Sequence, residues 1–200
     1  MTLAIYKESQ PKKESVFLKR PLVFIDIETT GLNPNRPDEH EILEIGCLVV
    51  DRESLKVLGE YCAKVVPERI ESADPKALEV NHYSEDDWRG AKPLRQVIEE
   101  LNDLAPGGLF IGWNVSFDRG FIEKAASQMR LPLNYDYHWL DVASMADFVL
   151  YPNSQEFSKP SLGAVCELLE IPHKEAHTAL GDARATFTVY KALRKTKDIG

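Results

Sequence analysis

Hydrophobic positions follow two different patterns along the chain. In five segments, apolar and β-branched residues form short runs or alternate with polar residues, which is typical of β-strands. These predicted strands cover residues 21–27, 41–51, 56–66, 109–113 and 139–142. The link between the second and third strands is short and polar, which predicts an antiparallel pair.

In other segments the apolar residues recur at steps of three and four, the period of an amphipathic helix. The clearest case begins at Ser116, which we expect to cap the helix, and continues through Phe117, Phe121, Ile122 and Met129. The predicted helices cover residues 75–80, 93–104, 116–129, 143–150, 162–169 and 179–193. Strands first, and strand–helix alternation later, predict a mixed sheet covered by helices.

Length and composition fit one globular domain with a short extension. The chain has 200 residues, of which 44% are hydrophobic and 28% charged. Residues 1–20 carry five basic residues against two acids and no sustained periodicity. We therefore expect a flexible basic arm over 1–20 and the folded domain over 21–200. A solvated tail is the simpler interpretation of the arm, and a nucleic-acid-binding arm is the alternative.

Charge and cysteine content exclude several classes of protein. The net charge of −8 argues against broad coating of nucleic acid through phosphate contacts, although it permits gripping the end of one strand. Cys47, Cys62 and Cys166 have no CxxC spacing, so neither a disulfide framework nor a zinc knuckle is indicated. Since no apolar run approaches about 20 residues and no secretory signal is evident, we expect a cytoplasmic protein with no membrane contact.

Two acids interrupt the first predicted strand. Residues two apart on a strand face the same side, so the carboxylates of Asp26 and Glu28 can reach one ion. Carboxylates withdrawn from water need such a partner, whereas a solvated pair at a strand edge does not, and the segment alone allows either. After them, Thr29, Thr30 and Gly31 form the exit from the strand, where free backbone N–H groups are predicted to hold a nucleotide's terminal hydroxyl or phosphate.

Two further acids and a histidine lie at the starts of helices. Asp118 follows the fourth strand, in the first turn of a helix, where the helix dipole alone would favour a negative charge. His177 precedes the last helix, and Asp182 lies in its first turns among small residues. Taken singly, a capping histidine and a solvated aspartate would explain this last pair equally well.

Taken together and in this order, the three segments resemble a known set of motifs. DIETTG (26–31), NVSFDRGF (114–121) and HTALGDA (177–183) are similar to the three exonuclease motifs of the DEDD superfamily, in its histidine-bearing DEDDh branch. That branch includes the proofreading subunit of bacterial DNA polymerase III, ribonuclease T and oligoribonuclease. The similarity covers about residues 21–194.

The resemblance implies a role for each motif residue. Asp26, Glu28, Asp118 and Asp182 are expected to hold two divalent cations, Mg²⁺ or Mn²⁺, and His177 is expected to be the general base. All-oxygen ligands favour these hard cations over Zn²⁺, and an imidazole suits the base because it titrates near neutral pH. The implied fold is α/β and ribonuclease H-like, a five-stranded mixed sheet flanked by helices.

The same resemblance adds substrate-binding candidates and shows two departures. Asn81 matches a family position beside the terminal nucleotide, but His82 replaces the glycine that many relatives carry next to it; Asn114 belongs to the second motif. Trp113 replaces a histidine of the proofreading relatives. Either Trp113 or Tyr83 would be suited to stack on a base, but packing in the core is the simpler interpretation for both.

The implied function is metal-dependent 3′–5′ hydrolysis of single-stranded nucleic acid, DNA before RNA, releasing nucleoside 5′-monophosphates. One alternative is an RNA-trimming enzyme like ribonuclease T or oligoribonuclease. Another is an inactive nucleic-acid-binding scaffold, which loss of a motif acid would favour; none is lost. Expected partners are a single-stranded 3′ end, a polymerase or repair complex, and a second copy in a homodimer.

Overall fold

The computed structural model describes residues 20–34, 40–150 and 161–197, and these form five strands and six α-helices. The strands are β1 Leu22–Thr29, β2 Ile42–Val50, β3 Val57–Lys64, β4 Leu109–Gly112 and β5 Trp139–Asp141. The helices are α1 Pro75–Val80, α2 Leu94–Leu104, α3 Ser116–Met129, α4 Val142–Leu150, α5 Leu162–Leu168 and α6 Ala179–Lys197. A 3₁₀ turn covers Ile70–Ser72. The predicted arm, except for Arg20, lies outside the described residues.

The strands form one mixed sheet in the order β3-β2-β1-β4-β5. β1, β2 and β3 pair antiparallel, whereas β4 runs parallel to β1 and β5 runs parallel to β4. The predicted five-stranded mixed sheet is therefore confirmed. Its register places Asp26 opposite Gly46 and Glu28 opposite Glu44.

The predicted elements agree with the structure to within a few residues, and one predicted cap is wrong. Ser116 is the first residue of α3; the N-cap is Val115, and no side chain caps the helix. The Ser116 hydroxyl donates instead to Asn114 Oδ1 at 3.3 Å. The Val115 N–H donates to Asp141 Oδ2 at 2.8 Å, so a residue of β5 stabilises the start of α3.

The two faces of the sheet carry separate hydrophobic clusters. Val23, Ile25 and Ile27 of β1 pack on one face with α2 and α3. Leu22 and Phe24 pack on the other face with α4, α5 and α6. Because side chains alternate along a strand, Asp26 and Glu28 continue the row of Leu22 and Phe24 and lie on the α6 side.

The cysteines and the aromatic residues Trp113 and Tyr83 can be located in the structure. The three cysteines are free thiols. Trp113 packs against the cluster on the α6 side, and Tyr83 lies 4.9 Å from Trp88 between ring centroids, which supports packing roles for both. Within residues 20–34, 40–150 and 161–197, no helix combines the length and apolar character needed to cross a membrane.

Candidate active site

The absence of a side chain at Gly46 lets α6 begin directly against the sheet. A Cβ atom at this position would lie 2.2 Å from the Leu180 nitrogen and 2.3 Å from the Ala179 carbonyl carbon. Gly46 is the β2 partner of Asp26. The close approach of helix and strand therefore brings the first turns of α6, which contain Asp182, over the acidic end of β1.

Three carboxylates meet at this point. One oxygen from each of Asp26, Glu28 and Asp182 lies within 4.8 Å of the other two, and all three residues are partly buried. Two belong to a strand and one to a helix 154 positions later in the chain, so the group exists only in the folded protein. The first and third sequence motifs are thus joined in space.

Asp118 supplies the fourth acid from the other side of β1. It is buried, and its Oδ1 accepts a 3.1 Å hydrogen bond from the Ile27 N–H, between the two acids of the strand. This bond ties the first turn of α3 to β1. The structure therefore brings together all four acids that the sequence selected.

Burial and mutual repulsion make this cluster electrostatically unfavourable by itself. Burial, followed by the charges of Asp118 and Asp182, raises the pKa of Asp26 well above its usual range. Burial and then Asp182 and Glu44 raise the pKa of Glu28 to about 8. Burial also raises the pKa of Asp118, against the opposing effect of its N–H donors.

The donor set fits divalent cations. In the part of the chain that the structure describes, no lysine or arginine forms an ion pair with any of the four acids. The ligand atoms are carboxylate oxygens, which hard cations such as Mg²⁺ and Mn²⁺ prefer. Bound cations would supply the positive charge that these buried carboxylates lack.

A fifth acid, Glu44, was missed by the sequence analysis. It is 9% exposed, lies opposite Glu28 in the β1–β2 register, and accepts a 2.9 Å hydrogen bond from the Cys62 thiol. Burial and this bond raise the pKa of Cys62 to about 12, so the thiol keeps its hydrogen. A glutamate inside the apolar run of β2 was the available signal, but only the strand register shows what it faces.

The histidine at the cluster is not the one that the motif selected. Nε2 of His173 lies 2.6 Å from Asp182 Oδ1. His177, by contrast, has an exposed side chain and a left-handed backbone with φ of 63°. The role of His177 as general base stays a prediction, and His173 is a site residue that no motif indicated.

The turn after β1 is held mainly by its own hydrogen bonds. The Thr30 N–H donates to Glu41 O at 2.8 Å, so the prediction that it is free for a ligand is wrong. The Thr30 hydroxyl accepts from the Glu41 N–H at 2.7 Å, and the Thr29 hydroxyl donates to Gly31 O at 2.8 Å. Glu41, the residue before β2, therefore occupies this amide.

The remaining substrate candidates occupy different environments. Asn81 is buried, and its side-chain amide donates to Thr29 O at 2.8 Å, which fastens the end of α1 to the turn. His82 and Asn114 are exposed and have left-handed backbones, with φ of 50° and 54°. Asn81 also lines the cleft described next, and the substrate contacts expected for Asn81, His82 and Asn114 stay predictions.

A cleft of about 320 Å³ adjoins the acidic cluster. Glu28, Gly31 and Leu32 line it on the β1 side, and Lys76 and Phe117 are among the residues that line it from α1 and α3. Leu32 is 82% exposed, an unusual position for a leucine beside a charged site. The cleft thus offers apolar surface and the positively charged side chain of Lys76 next to the carboxylates.

A mixed five-stranded sheet with carboxylates gathered at the end of its central strand defines a ribonuclease H-like nuclease architecture. The sequence model of the exonuclease family (RNase_T) matches residues 23–190, and the chain belongs to that family. The resemblance drawn from the three motifs is thereby confirmed.

Two relatives contain a segment similar to this chain within a much longer protein. The chain is 26% identical over 188 residues to the PolC-type DNA polymerase III of Thermotoga maritima. The matched region covers 94% of this chain and 13% of the polymerase. It is 27% identical over 184 residues to the 3′-5′ exonuclease DinG of Bacillus subtilis, covering 90% of this chain and 18% of DinG. The chain therefore spans less than a fifth of the length of either protein.

Solved structures show the same fold. E. coli exonuclease I in complex with a dA16 oligonucleotide superposes with a TM-score of 0.76 at 18% identity, over 90% of this chain and 42% of that chain. The nuclease domain of 3′hExo, a DEDDh family member bound to rAMP, gives a TM-score of 0.71 at 19% identity, over 90% of this chain and 93% of that chain. The predicted ribonuclease H-like fold is confirmed.

Proposed function

We propose that this chain is a metal-dependent 3′–5′ exonuclease that removes nucleotides from a single-stranded end. The observation that carries the proposal is the meeting of Asp26, Glu28 and Asp182 oxygens within 4.8 Å, beside the buried Asp118. Membership of the exonuclease family supports it. The inactive-scaffold alternative is disfavoured because every acid of the motifs is present and in place.

The four acids would hold two cations, Mg²⁺ or Mn²⁺. Bound there, such ions supply Lewis acidity toward a phosphodiester and compensate the charge that builds up during its hydrolysis. Asp26, Glu28 and Asp182 contribute the ligands from the α6 side of β1, and Asp118 contributes one from the α3 side. His177, at the exposed start of α6, would accept the proton of the attacking water.

The adjoining cleft is suited to the terminal nucleotide. Leu32 and Phe117 offer apolar surface to a base or sugar, and Lys76 offers a charge to a phosphate. Behind the cleft, α1 is joined to the β1 turn by Asn81 Nδ2 to Thr29 O and by Asp74 N–H to Thr30 O, both 2.8 Å. These bonds hold α1 against the turn after β1, where residues of both line the cleft.

DNA is the substrate that we propose first. The polymerase and DinG relatives and the dA16 complex of exonuclease I support it. RNA is the second candidate, favoured by the rAMP bound to the 3′hExo nuclease domain. The products would be nucleoside 5′-monophosphates. A polymerase or repair complex and a second copy of this chain stay predicted partners.

A polarity assay on matched oligonucleotides tests the function. Single-stranded DNA and RNA of one sequence, labelled at the 5′ end, are incubated with Mg²⁺, Mn²⁺ or EDTA. We expect a ladder that shortens from the 3′ end, faster on DNA, and no products with EDTA. An oligonucleotide with a blocked 3′ end should not be shortened. Shortening from the 5′ end, or activity that survives EDTA, would refute the proposal.

Replacing His177 by alanine should abolish most of the turnover without loss of metal binding. General-base catalysis contributes about 100- to 10,000-fold, so a loss of that size in kcat is expected. Mn²⁺ binding should be unchanged, because the exposed imidazole lies outside the carboxylate group. His138→Ala, just before β5, is the control. Turnover within a few-fold of the wild type would remove His177 from the mechanism.

A further inference from the structure

We propose that His173 is a positioning residue that holds the carboxylate of Asp182 in the orientation needed to ligate a cation, an inference that rests on the proposed metal-dependent function. Nε2 of His173 and Oδ1 of Asp182 are 2.6 Å apart. The two side chains are only 14% and 16% exposed. The contact is therefore sheltered from water, which strengthens it relative to a surface pair.

The chemistry of the pair fixes its direction. A carboxylate that ligates a cation is ionised and has no hydrogen to donate, so in the metal-binding form His173 Nε2 donates and Asp182 accepts. Each carboxylate oxygen has two lone pairs, and Asp182 has a second oxygen. The bond with His173 therefore leaves acceptor positions on Asp182 for a cation.

The same conformation contains both this bond and the assembled acidic group. Asp182 keeps an oxygen within 4.8 Å of oxygens on Asp26 and Glu28 while its Oδ1 is bonded to His173. When the acids are ionised, repulsion between like charges favours movement of Asp182 away from Asp26 and Glu28. The hydrogen bond from His173 restrains the Asp182 side chain against that movement, so His173 keeps the ligand in place before a cation arrives.

The segment that carries His173 is anchored on both sides. Before it, the Ile171 N–H donates to Cys166 O at 2.8 Å, and Ile171 packs against the cluster on the α6 side. After it, Glu175 pairs with Arg184 of α6 at 2.7 Å. Arg184 also pairs with Glu60 of β3 at 2.6 Å, which ties the loop and the helix to the sheet.

Hydrogen-bond partners of metal ligands have a known effect on affinity. Removing such a partner typically weakens metal binding by about 10- to 100-fold. His173→Ala should show a loss in this range. His173→Gln should recover part of it, because the glutamine Nε2 donor lies at nearly the same distance along the side chain as the histidine Nε2.

The chain offers a matched control in a second histidine–aspartate pair. His138 Nδ1 lies 2.9 Å from Oδ1 of the buried Asp136, just before β5 and outside the acidic group. His138→Ala removes a histidine–aspartate contact in which the His138 side chain is 53% exposed and Asp136 keeps its ion pair with Arg20. Any effect that comes from breaking a histidine–aspartate pair in general will appear in both alanine variants, whereas an effect on the metal site will appear only in His173→Ala.

Calorimetric titration with MnCl₂ alone, without nucleic acid, tests the inference separately from catalysis. Wild type, His173→Ala, His173→Gln and His138→Ala are titrated at pH 8, and their thermal unfolding is recorded in EDTA. We expect at least tenfold weaker Mn²⁺ binding for His173→Ala, partial recovery for His173→Gln, and wild-type affinity for His138→Ala. Unchanged affinity in His173→Ala would overturn the inference, and tighter binding would show that His173 competes with the cation.

The wild-type titration separates this inference from the proposed function. If the wild type binds no Mn²⁺, the metal site itself is wrong and the role of His173 is overturned with it. If Mn²⁺ binding depends on His173 but the oligonucleotide assay shows no hydrolysis, the positioning role is supported and the exonuclease proposal fails.

Discussion

Asp26→Asn should abolish hydrolysis while making the metal-free protein more stable. The asparagine keeps the shape of the side chain but removes a charge that burial and the neighbouring acids Asp118, Asp182, Glu28 and Glu44 make unfavourable. The rate should fall about 1000-fold, since metal-assisted charge stabilisation is worth several kcal/mol. A residue that is needed for activity but lowers stability is typical of a strained functional site.

The gain in stability should depend on pH in a defined direction. The pKa of Glu28 in the folded protein is about 8, above its usual value of 4.5, and that of Asp26 is raised as well. As the pH rises from 4.5 to about 8, Glu28 loses its proton in the unfolded chain before it does so in the folded protein. The folded metal-free protein therefore binds more protons than the unfolded chain, and its stability falls as the pH rises toward 8.

Thermal unfolding in EDTA at pH 5, 6, 7 and 8 measures this effect. The wild-type melting temperature should fall across the series, and the fall should be smaller in Asp26→Asn. Asp103→Asn, an exposed acid of α2, is the matched control and should follow the wild type. Saturating Mn²⁺ should raise the melting temperature of the wild type most strongly at pH 8. A lower melting temperature for Asp26→Asn than for the wild type at pH 8 in EDTA would contradict the electrostatic account.

Gly46→Ala should destabilise the protein and separate α6 from the acids of β1. The added methyl group would lie 2.2 to 2.5 Å from backbone atoms of Ala179 and Leu180, which cannot move aside as a flexible side chain would. Overpacking of this kind costs about 2 to 3 kcal/mol of unfolding free energy. Because displacing α6 carries Asp182 with it, Mn²⁺ affinity should fall together with stability.

Gly59→Ala provides the matched control for that variant. Gly59 lies on the neighbouring strand β3, and a Cβ there would meet no atom within 4 Å. Its unfolding free energy should stay within about 0.5 kcal/mol of the wild type. Urea unfolding of both variants, with MnCl₂ titration of each, makes the comparison. Equal stability of the two variants would show that α6 does not need the close approach at Gly46.

Local sequence patterns were sufficient for the elements and for most of the acidic site. Period-two alternation placed Asp26 and Glu28 on one face, and that face proved to be the α6 side of β1. The three motifs then located Asp118 and Asp182. Strand geometry fixes the shared face of residues two positions apart, whereas Asp118 and Asp182 were selected by the resemblance of their motifs to a known family.

Features that depend on the path of the whole chain were not predictable in this way. Glu44 faces Glu28 only through the register of β1 with β2. His173 reaches Asp182 because the loop between α5 and α6 folds back, held through Glu175 and Arg184. The Thr30 amide is occupied because Glu41 lies beside it after the turn. Each of these contacts joins segments whose relative position no local period encodes.

Diffraction at a wavelength that detects manganese, from crystals of the protein soaked in MnCl₂, tests the central claim most directly. We expect anomalous density bounded by the carboxylates of Asp26, Glu28 and Asp182, with Asp118 beside it, and its loss from crystals of Asp26→Asn. Wild-type crystals in which these side chains enclose no manganese at saturating concentration would contradict the account.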